Sequence, residues 1–395
     1  MIPTYVPAWR YGGPVRSVHG LARAQVAAGD RVSVFTTNAD GAGELVVPTD
    51  RVVELDGVEV SYFPIGWPRR LGRSPALGVA LERRIAEFDV VHLHSVFLWP
   101  TWVAARSARG AGVAYFVSPR GMLVGDLIRE RGTLRKRLWI AAVERRTLIG
   151  AAAIVVTSEL ERREIERLGL GLAPFAVVPN GIVEDAETTP GSIDEVRASF
   201  DTDSFQPMVL YLGRLSWKKG LAELVEAIAA VPEARCLIAG NDDEKLWPEL
   251  ERRARTLGAG ERLRYVGEVR GEAKRRLLAA ARAFVLPSLS ENFGVAALEA
   301  MAAGVPVVLG PGVGIAAAAT AAGAGLVARE PEELRRAIAE LLGEPARSRA
   351  MGERGRALAA RDYGWPAIAA AMRELYTRRG SAAARAQARL GEARA

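Results

Sequence analysis

Residues 287–310 read PSLSENFGVAALEAMAAGVPVVLG, and the rest of the chain is organised around this stretch. An apolar run, Ala283 to Leu286, leads into it as a strand. Glu291 follows, then a tight Asn292-Phe293-Gly294 turn, then an Ala-rich helix that carries Glu299 and ends near Gly304. Val305 opens another apolar strand. A strand–turn–helix–strand unit of this kind is how parallel α/β domains hold ligands at the carboxyl ends of their strands. Free amides at a helix start suit an anion, and small residues admit a ligand close to the backbone. Glu291 sits at the helix mouth, and Glu299, eight residues on, is expected on about the same face. Two carboxylates around an anion-binding helix start suit a ligand with phosphate and hydroxyls, such as a nucleotide sugar. A charged turn plus one surface carboxylate is the plainer reading, and this stretch alone leaves both open.

Outward from it, strands and helices alternate in both directions. In the N-terminal half, strands are expected at Arg31–Thr37, Val52–Phe63 (two, around the Asp56-Gly57 turn), Asp89–His94, Val113–Ser118, Ala152–Val156 and Phe175–Val178. Ser158 with Glu161 makes a capping box for the helix that follows. Residues 183–203 are polar and contain Pro190 and Gly191, and read as a linker. In the C-terminal half, strands are expected at Met208–Gly213, Arg235–Gly240, Arg262–Gly267 and near Leu326–Ala328, with helices between. Alternation in both halves predicts two parallel sheets, each covered on both faces. The opening strand is the exception: Ile2-Pro3 looks like the tail of a strand whose beginning is absent. Either the start is assigned too late or the sheet has lost an inner strand.

The length of 395 residues suits two domains. Composition (49% hydrophobic, 25% charged) is that of a globular chain, and no apolar run approaches the roughly 18 residues of a membrane span. MIPTYVPAW lacks the basic and apolar regions of a secretory signal. The single cysteine, Cys236, fits a reducing cytoplasm. His92 and His94 are taken to point to opposite faces of one strand, which argues against a histidine metal site. Asp242-Asp243 reads as a helix cap rather than a metal pair. The net charge of +7 is mostly solvated arginine, with no nucleic-acid-binding motif. Between 126 and 148 a basic amphipathic region suits either a peripheral contact with an anionic membrane or a helix packed on the sheet.

A second constellation is Leu212-Gly213-Arg214-Leu215-Ser216-Trp217-Lys218-Lys219-Gly220. Arg214 lies just past a strand end and Lys219 at a helix start. Two cations there form a clamp for a diphosphate, whose charge grows as it departs.

GRLSWKKG at 213–220, SENFGVAALEAMAAGVPVV at 290–308 and VVPNGI at 177–182 together resemble the family four retaining glycosyltransferases of the GT-B fold. The resemblance covers nearly the whole chain, and the Glu291/Glu299 pair is its most specific mark. It implies two Rossmann-like doubly wound α/β domains facing a central cleft. The expected divisions are 1–183 for the acceptor, 184–362 for a nucleotide-sugar donor, and 363–395 as a helix crossing back plus a tail. On that resemblance Arg214 and Lys219 bind the diphosphate, Glu299 the ribose and Glu291 the donor hexose. The amides of Asn292, Phe293, Gly294 and Val295 approach hexose and phosphate. Gly13 meets the diphosphate, and the base lies near Gly240 and Val269. The catalytic set is Glu291, Arg214 and Lys219.

The resemblance also implies retention by front-face attack, with the departing phosphate taking the acceptor's proton. It implies no cofactor beyond the nucleotide-diphosphate sugar as co-substrate and no essential metal. One departure is Arg120, in SPRGM, where the family often has histidine. With His94 it is an expected acceptor- or sugar-proximal residue. The function expected is transfer of a hexosyl group from a UDP- or GDP-sugar to a glycan, lipid-linked or small-molecule hydroxyl. The setting would be cell-surface polysaccharide or glycoconjugate assembly, in the cytoplasm or at the inner face of the membrane. The competing readings are a degenerate GT-B protein acting as a non-catalytic binding partner and a UDP-sugar epimerase of the same fold.

Overall fold

The computed structural model describes residues 1–11, 13–123, 143–182 and 207–392. The sequence-based readings for the linker at 183–203, and for most of the basic region at 126–148, lie outside the described residues. The chain divides into two compact units, Met1–Gly181 with Trp365–Ala395, and Ile182–Gly364.

In the first unit the strands are β1 (Ser33–Thr37), β2 (Ala39–Asp40), β3 (Gly43–Glu44), β4 (Val53–Leu55), β5 (Val58–Phe63), β6 (Val90–His94), β7 (Ala114–Ser118), β8 (Ala153–Val156) and β9 (Phe175–Val177). β2 and β3 form a small hairpin, and the others fall into the runs β1-β5-β4 and β6-β7-β8-β9. The first four residues close the gap between these runs. Ile2 N donates to Phe35 O at 3.3 Å and Thr37 N to Pro3 O at 3.2 Å. On the other side His94 N donates to Met1 O at 2.9 Å, and the Met1 amino group donates to His92 O at 2.8 Å. The inner position of the sheet is therefore filled, over a short length, by residues 1–4. This corrects the expectation of a lost inner strand. The sheet is also not wholly parallel, because β4 runs antiparallel to β5 through the Asp56-Gly57 turn.

Helices Gly13–Ala27 and Trp365–Glu392 lie together in this unit, with Leu21, Phe116, Val155, Val178, Ile368, Met372 and Leu375 forming a buried cluster. Trp365 is wedged between two glycines. A Cβ on Gly20 or on Gly181 would lie 2.4 Å from its indole ring. His92 and His94 share a face, contrary to expectation, since residues two apart on a strand point the same way. Their ring centroids are 4.1 Å apart.

The second unit carries β10 (Met208–Leu212), β11 (Arg235–Ala239), β12 (Leu263–Tyr265), β13 (Ala283–Leu286), β14 (Val307–Leu309) and β15 (Gly325–Val327). All pair in parallel, in the order β12-β11-β10-β13-β14-β15. Most of the strand residues are buried, as near-continuous apolar runs require when helices cover both faces of a parallel sheet. The strand order reverses between β10 and β13. Crevices at such a switch point, at the carboxyl ends of the strands, are where doubly wound sheets bind ligands.

No helix among the described residues is long and apolar enough to cross a membrane.

Candidate functional site

The two motifs leave the sheet of the second unit on either side of its switch point. After β10 the chain runs through Arg214 to a short turn, Trp217–Lys219. After β13 it runs through Ser288 to Glu291. The two loops are tied by Leu289 N donating to Lys218 O at 2.9 Å. Lys219 Nζ hydrogen-bonds the Glu291 carboxylate, and the two side chains are 12% and 25% exposed. Arg214 is exposed beside them, and its carbonyl accepts from the Tyr211 hydroxyl at 3.0 Å. Burial, followed by the Glu291 charge, pushes the Tyr211 phenol up, so it stays a neutral donor. Burial, then the charges of Lys219 and Arg214, lower the Lys218 ammonium below its usual range. Three cations thus crowd one loop, with Glu291 bonded to Lys219 and Glu244 accepting from Trp217 N at 3.3 Å, a net positive field that favours an arriving anion.

Glu291 precedes the turn and the helix that carries Glu299, as the sequence indicates. The helix spans Val295–Ala302, and Glu291 lies in the loop before it. A strap holds that loop: Glu291 N donates to Gly312 O at 2.8 Å, Gly314 N to Glu291 O at 2.9 Å and Ile315 N to Phe293 O at 2.9 Å. Gly312 permits the approach, since a Cβ there would lie 2.0 Å from Leu289 O. Phe293 is buried against Tyr363, with ring centroids 5.8 Å apart, so only its backbone remains for a ligand.

Glu299 has its own cation. Lys274 Nζ, from helix Gly271–Ala280, lies 2.5 Å from Glu299 Oε1, and both side chains are 21% exposed. Lys274 was not singled out in the sequence, because it sits in a KRR run that reads as solvated surface. At the ends of β11 and β12, Gly240 N donates to Gly267 O at 2.8 Å and the Tyr265 hydroxyl to Gly240 O at 2.8 Å. Gly240 has φ 148°, and a Cβ there would lie 1.8 Å from Gly213 O. Val269 is half-buried nearby in sequence, against the unit's core. Asp242 caps the next helix, accepting from Leu246 N at 2.8 Å and Trp247 N at 2.9 Å. Among the described residues no group of three or more His, Cys, Asp or Glu is placed to hold a metal ion.

The remaining expected residues lie in the first unit. Gly13 is the first residue of its helix, with open space where a Cβ would be. His94 ends β6, and Arg120 lies two residues past β7. Arg120 Nη2 is 3.2 Å from His94 Nδ1, and its Nη1 donates to Asn180 Oδ1 at 2.8 Å. His92 joins Tyr376 at 2.6 Å and Ser118 at 2.8 Å through its two ring nitrogens. Burial, reinforced by the neighbouring positive charges, drops both histidines well below the usual imidazole range. Asn180 belongs to the PNGI stretch, but nothing in the sequence alone gave it a role.

Two family descriptions match the chain: glycosyl transferase 4-like domain over residues 12–181, and glycosyl transferases group 1 over residues 192–358. The glycogen synthase of Mycobacterium tuberculosis is 30% identical over 406 aligned positions, covering 93% of each chain. The phosphatidyl-myo-inositol mannosyltransferase of Mycobacterium leprae is 30% identical, covering 75% of this chain and 74% of its own. The D-inositol 3-phosphate glycosyltransferase of Xylanimonas cellulosilytica is 28% identical over 92% of this chain and 91% of its own.

Among solved structures, the sucrose-phosphate synthase of Thermosynechococcus elongatus superposes with a TM-score of 0.75 at 24% identity, covering 94% of each chain. HepE of Anabaena, solved with UDP-glucose, superposes with a TM-score of 0.72 at 20% identity, covering 95% of this chain and 99% of its own. These likenesses carry the fold, and the closer sequence relatives carry the family. The chain belongs to the family four glycosyltransferases, is built on the GT-B fold, and is a transferase enzyme.

Proposed function

We propose that this enzyme is a retaining hexosyltransferase that takes its sugar from a nucleotide diphosphate, UDP or GDP, and passes it to a hydroxyl acceptor in polysaccharide or glycoconjugate assembly. The observation that carries this reading is the Lys219–Glu291 pair at the switch point of the second unit, with Arg214 exposed beside it. Arg214 and Lys219 neutralise the diphosphate as its bond to the sugar breaks, which lowers the barrier more than it tightens ground-state binding. Glu291, held by Lys219, faces the hexose. Glu299, held by Lys274, takes the ribose hydroxyls. The backbone of Asn292 to Val295 lines the phosphate and sugar. Gly240 and Val269, at the ends of neighbouring strands, flank the base. The acceptor's proton leaves on the departing phosphate, so no protein nucleophile is required.

HepE is solved with UDP-glucose, and two relatives are named for inositol phosphate or phosphatidylinositol. These names favour a nucleotide sugar as donor and a phosphorylated polyol among acceptors. Calorimetry with UDP, GDP, dTDP and ADP, then their sugars, without added metal, tests the donor reading. One diphosphate should bind clearly best, and Arg214→Ala and Glu299→Ala should each weaken it. Silence across the panel from folded protein would refute the donor site and favour a non-catalytic binding role.

A further inference from the structure

In the first unit Trp67 is 84% exposed and Val46 is fully exposed, although the segments that carry them are tightly tied. Trp67 lies in the loop after β5, and Val46 just past the β2–β3 hairpin. The loop closes on itself. Gly66 N donates to Arg73 O at 2.7 Å, Arg73 Nη1 to Trp67 O at 3.2 Å and Gly72 N to Arg69 O at 2.8 Å. It is also sewn to the hairpin: Ile65 N donates to Asn38 Oδ1 at 2.9 Å, and Arg69 donates to Glu44 Oε1 at 2.8 Å and to Gly43 O at 2.7 Å. Both apolar side chains therefore stand two residues from one ion pair, Arg69 with Glu44. A bonded backbone, rather than a loose segment, holds them in water.

The free charge beside Trp67 is positive. Glu44 is spent on Arg69, while Arg70 and Arg73 are exposed and, among the described residues, pair with no carboxylate. The rim thus offers an apolar tip with a cationic collar. An exposed Trp forgoes a large gain from burial, and the headgroup level of a bilayer supplies that gain while leaving the indole N–H wet. Unpaired guanidiniums beside it suit anionic headgroups. A stable protein interface takes some 20 to 30 residues a side, roughly, and two apolar side chains on a narrow rim offer far less.

We infer that this rim, Trp67 and Val46 flanked by Arg70 and Arg73, rests on an anionic lipid surface with its two apolar side chains at headgroup level. The contact is distinct from the basic region at 126–148, and it holds whichever nucleotide the second unit takes. With one ring and two free cations it is reversible and weakened by salt.

The test is co-sedimentation of the full chain with mixed phosphatidylglycerol–phosphatidylcholine vesicles against phosphatidylcholine vesicles. Wild type should prefer the anionic vesicles by about tenfold or more at low salt. Arg70→Gln with Arg73→Gln should remove most of that preference. Trp67→Ala should weaken partitioning by about tenfold, the loss of one large buried side chain. Each variant should melt as wild type does, since none of these side chains is packed in the core. Vesicle binding unaffected by Trp67→Ala, or no anionic preference in wild type, overturns the inference. So does self-association that Trp67→Ala abolishes while vesicle binding stays, which would make the rim an interface between copies. Failure of the nucleotide panel alone would sink the donor reading and leave this measurement intact.

Discussion

Lys219 and Glu291, 72 positions apart in the chain, share a hydrogen bond across the point where the strand order of the second unit reverses. On the function proposed above, the pair fixes a cation for the diphosphate and a carboxylate for the hexose. Neither side chain is freely exposed, so each is the other's main compensation.

Removing one member of that pair has separable effects on activity and stability. Lys219→Met should lower kcat by about 10²–10³-fold, the usual loss when one stabiliser of developing charge is removed. It should also destabilise the unit by about 1–3 kcal/mol, because Glu291 is left half-buried without its cation. Lys219→Met with Glu291→Gln should regain most of the stability and none of the rate. Steady-state kinetics and urea unfolding check this, and a double variant less stable than Lys219→Met would contradict it.

Gly240 tests the geometry of the neighbouring strand end. A methyl group there would need a backbone φ of 148° and would strike Gly213 O. Gly240→Ala should therefore destabilise the second unit by more than about 4 kcal/mol, in the range reserved for severe steric or backbone conflict. Nucleotide binding should fall with it. Native-like melting of this variant would mean that the two loops are not packed as described.

Trp365 offers a rescue experiment in the first unit. Gly181→Ala should drive a methyl into the indole and lower stability by about 1–3 kcal/mol, as overpacking does. Combining it with Trp365→Leu should recover part of the loss, since the smaller side chain makes room. If Trp365→Leu and Gly181→Ala simply add, the wedge is not the source of the conflict.

Acid should destabilise the first unit through His92 and His94. Burial lowers both pKa values in the folded state, first by desolvation and then by neighbouring positive charge. Their unfolded values are near 6.5, so the unfolded chain binds more protons below that pH. Their contribution is full above about pH 6.5 and falls as pH drops, by up to about 1.4 kcal/mol per unit for each histidine. Melting at pH 7.5 and 5.5 should show the loss, and His94→Gln should flatten the slope. An unchanged slope in that variant would place the acid sensitivity elsewhere.

The sequence by itself determined the class of fold and the chemistry on offer. Apolar runs such as 208–212 and 283–286, short, bounded by turn signals and alternating with helices, read as buried strands of a parallel sheet. The spacing of Arg214 and Lys219 after one strand and of Glu291 and Glu299 after another marked the loops that matter, because local turns and helix starts are encoded locally. Tertiary structure alone decided who meets whom. Strand order is a non-local property, and it put the loops after β10 and β13 side by side and so paired Lys219 with Glu291. It gave Glu299 a partner, Lys274, that no motif marked. It let Met1–Thr4 fill a gap between two strand runs that the sequence read as a missing strand. It also brought Arg120, His94 and Asn180 together from the ends of three strands. Pairings of this kind depend on which strands lie next to each other, and periodicity along one chain carries no record of that.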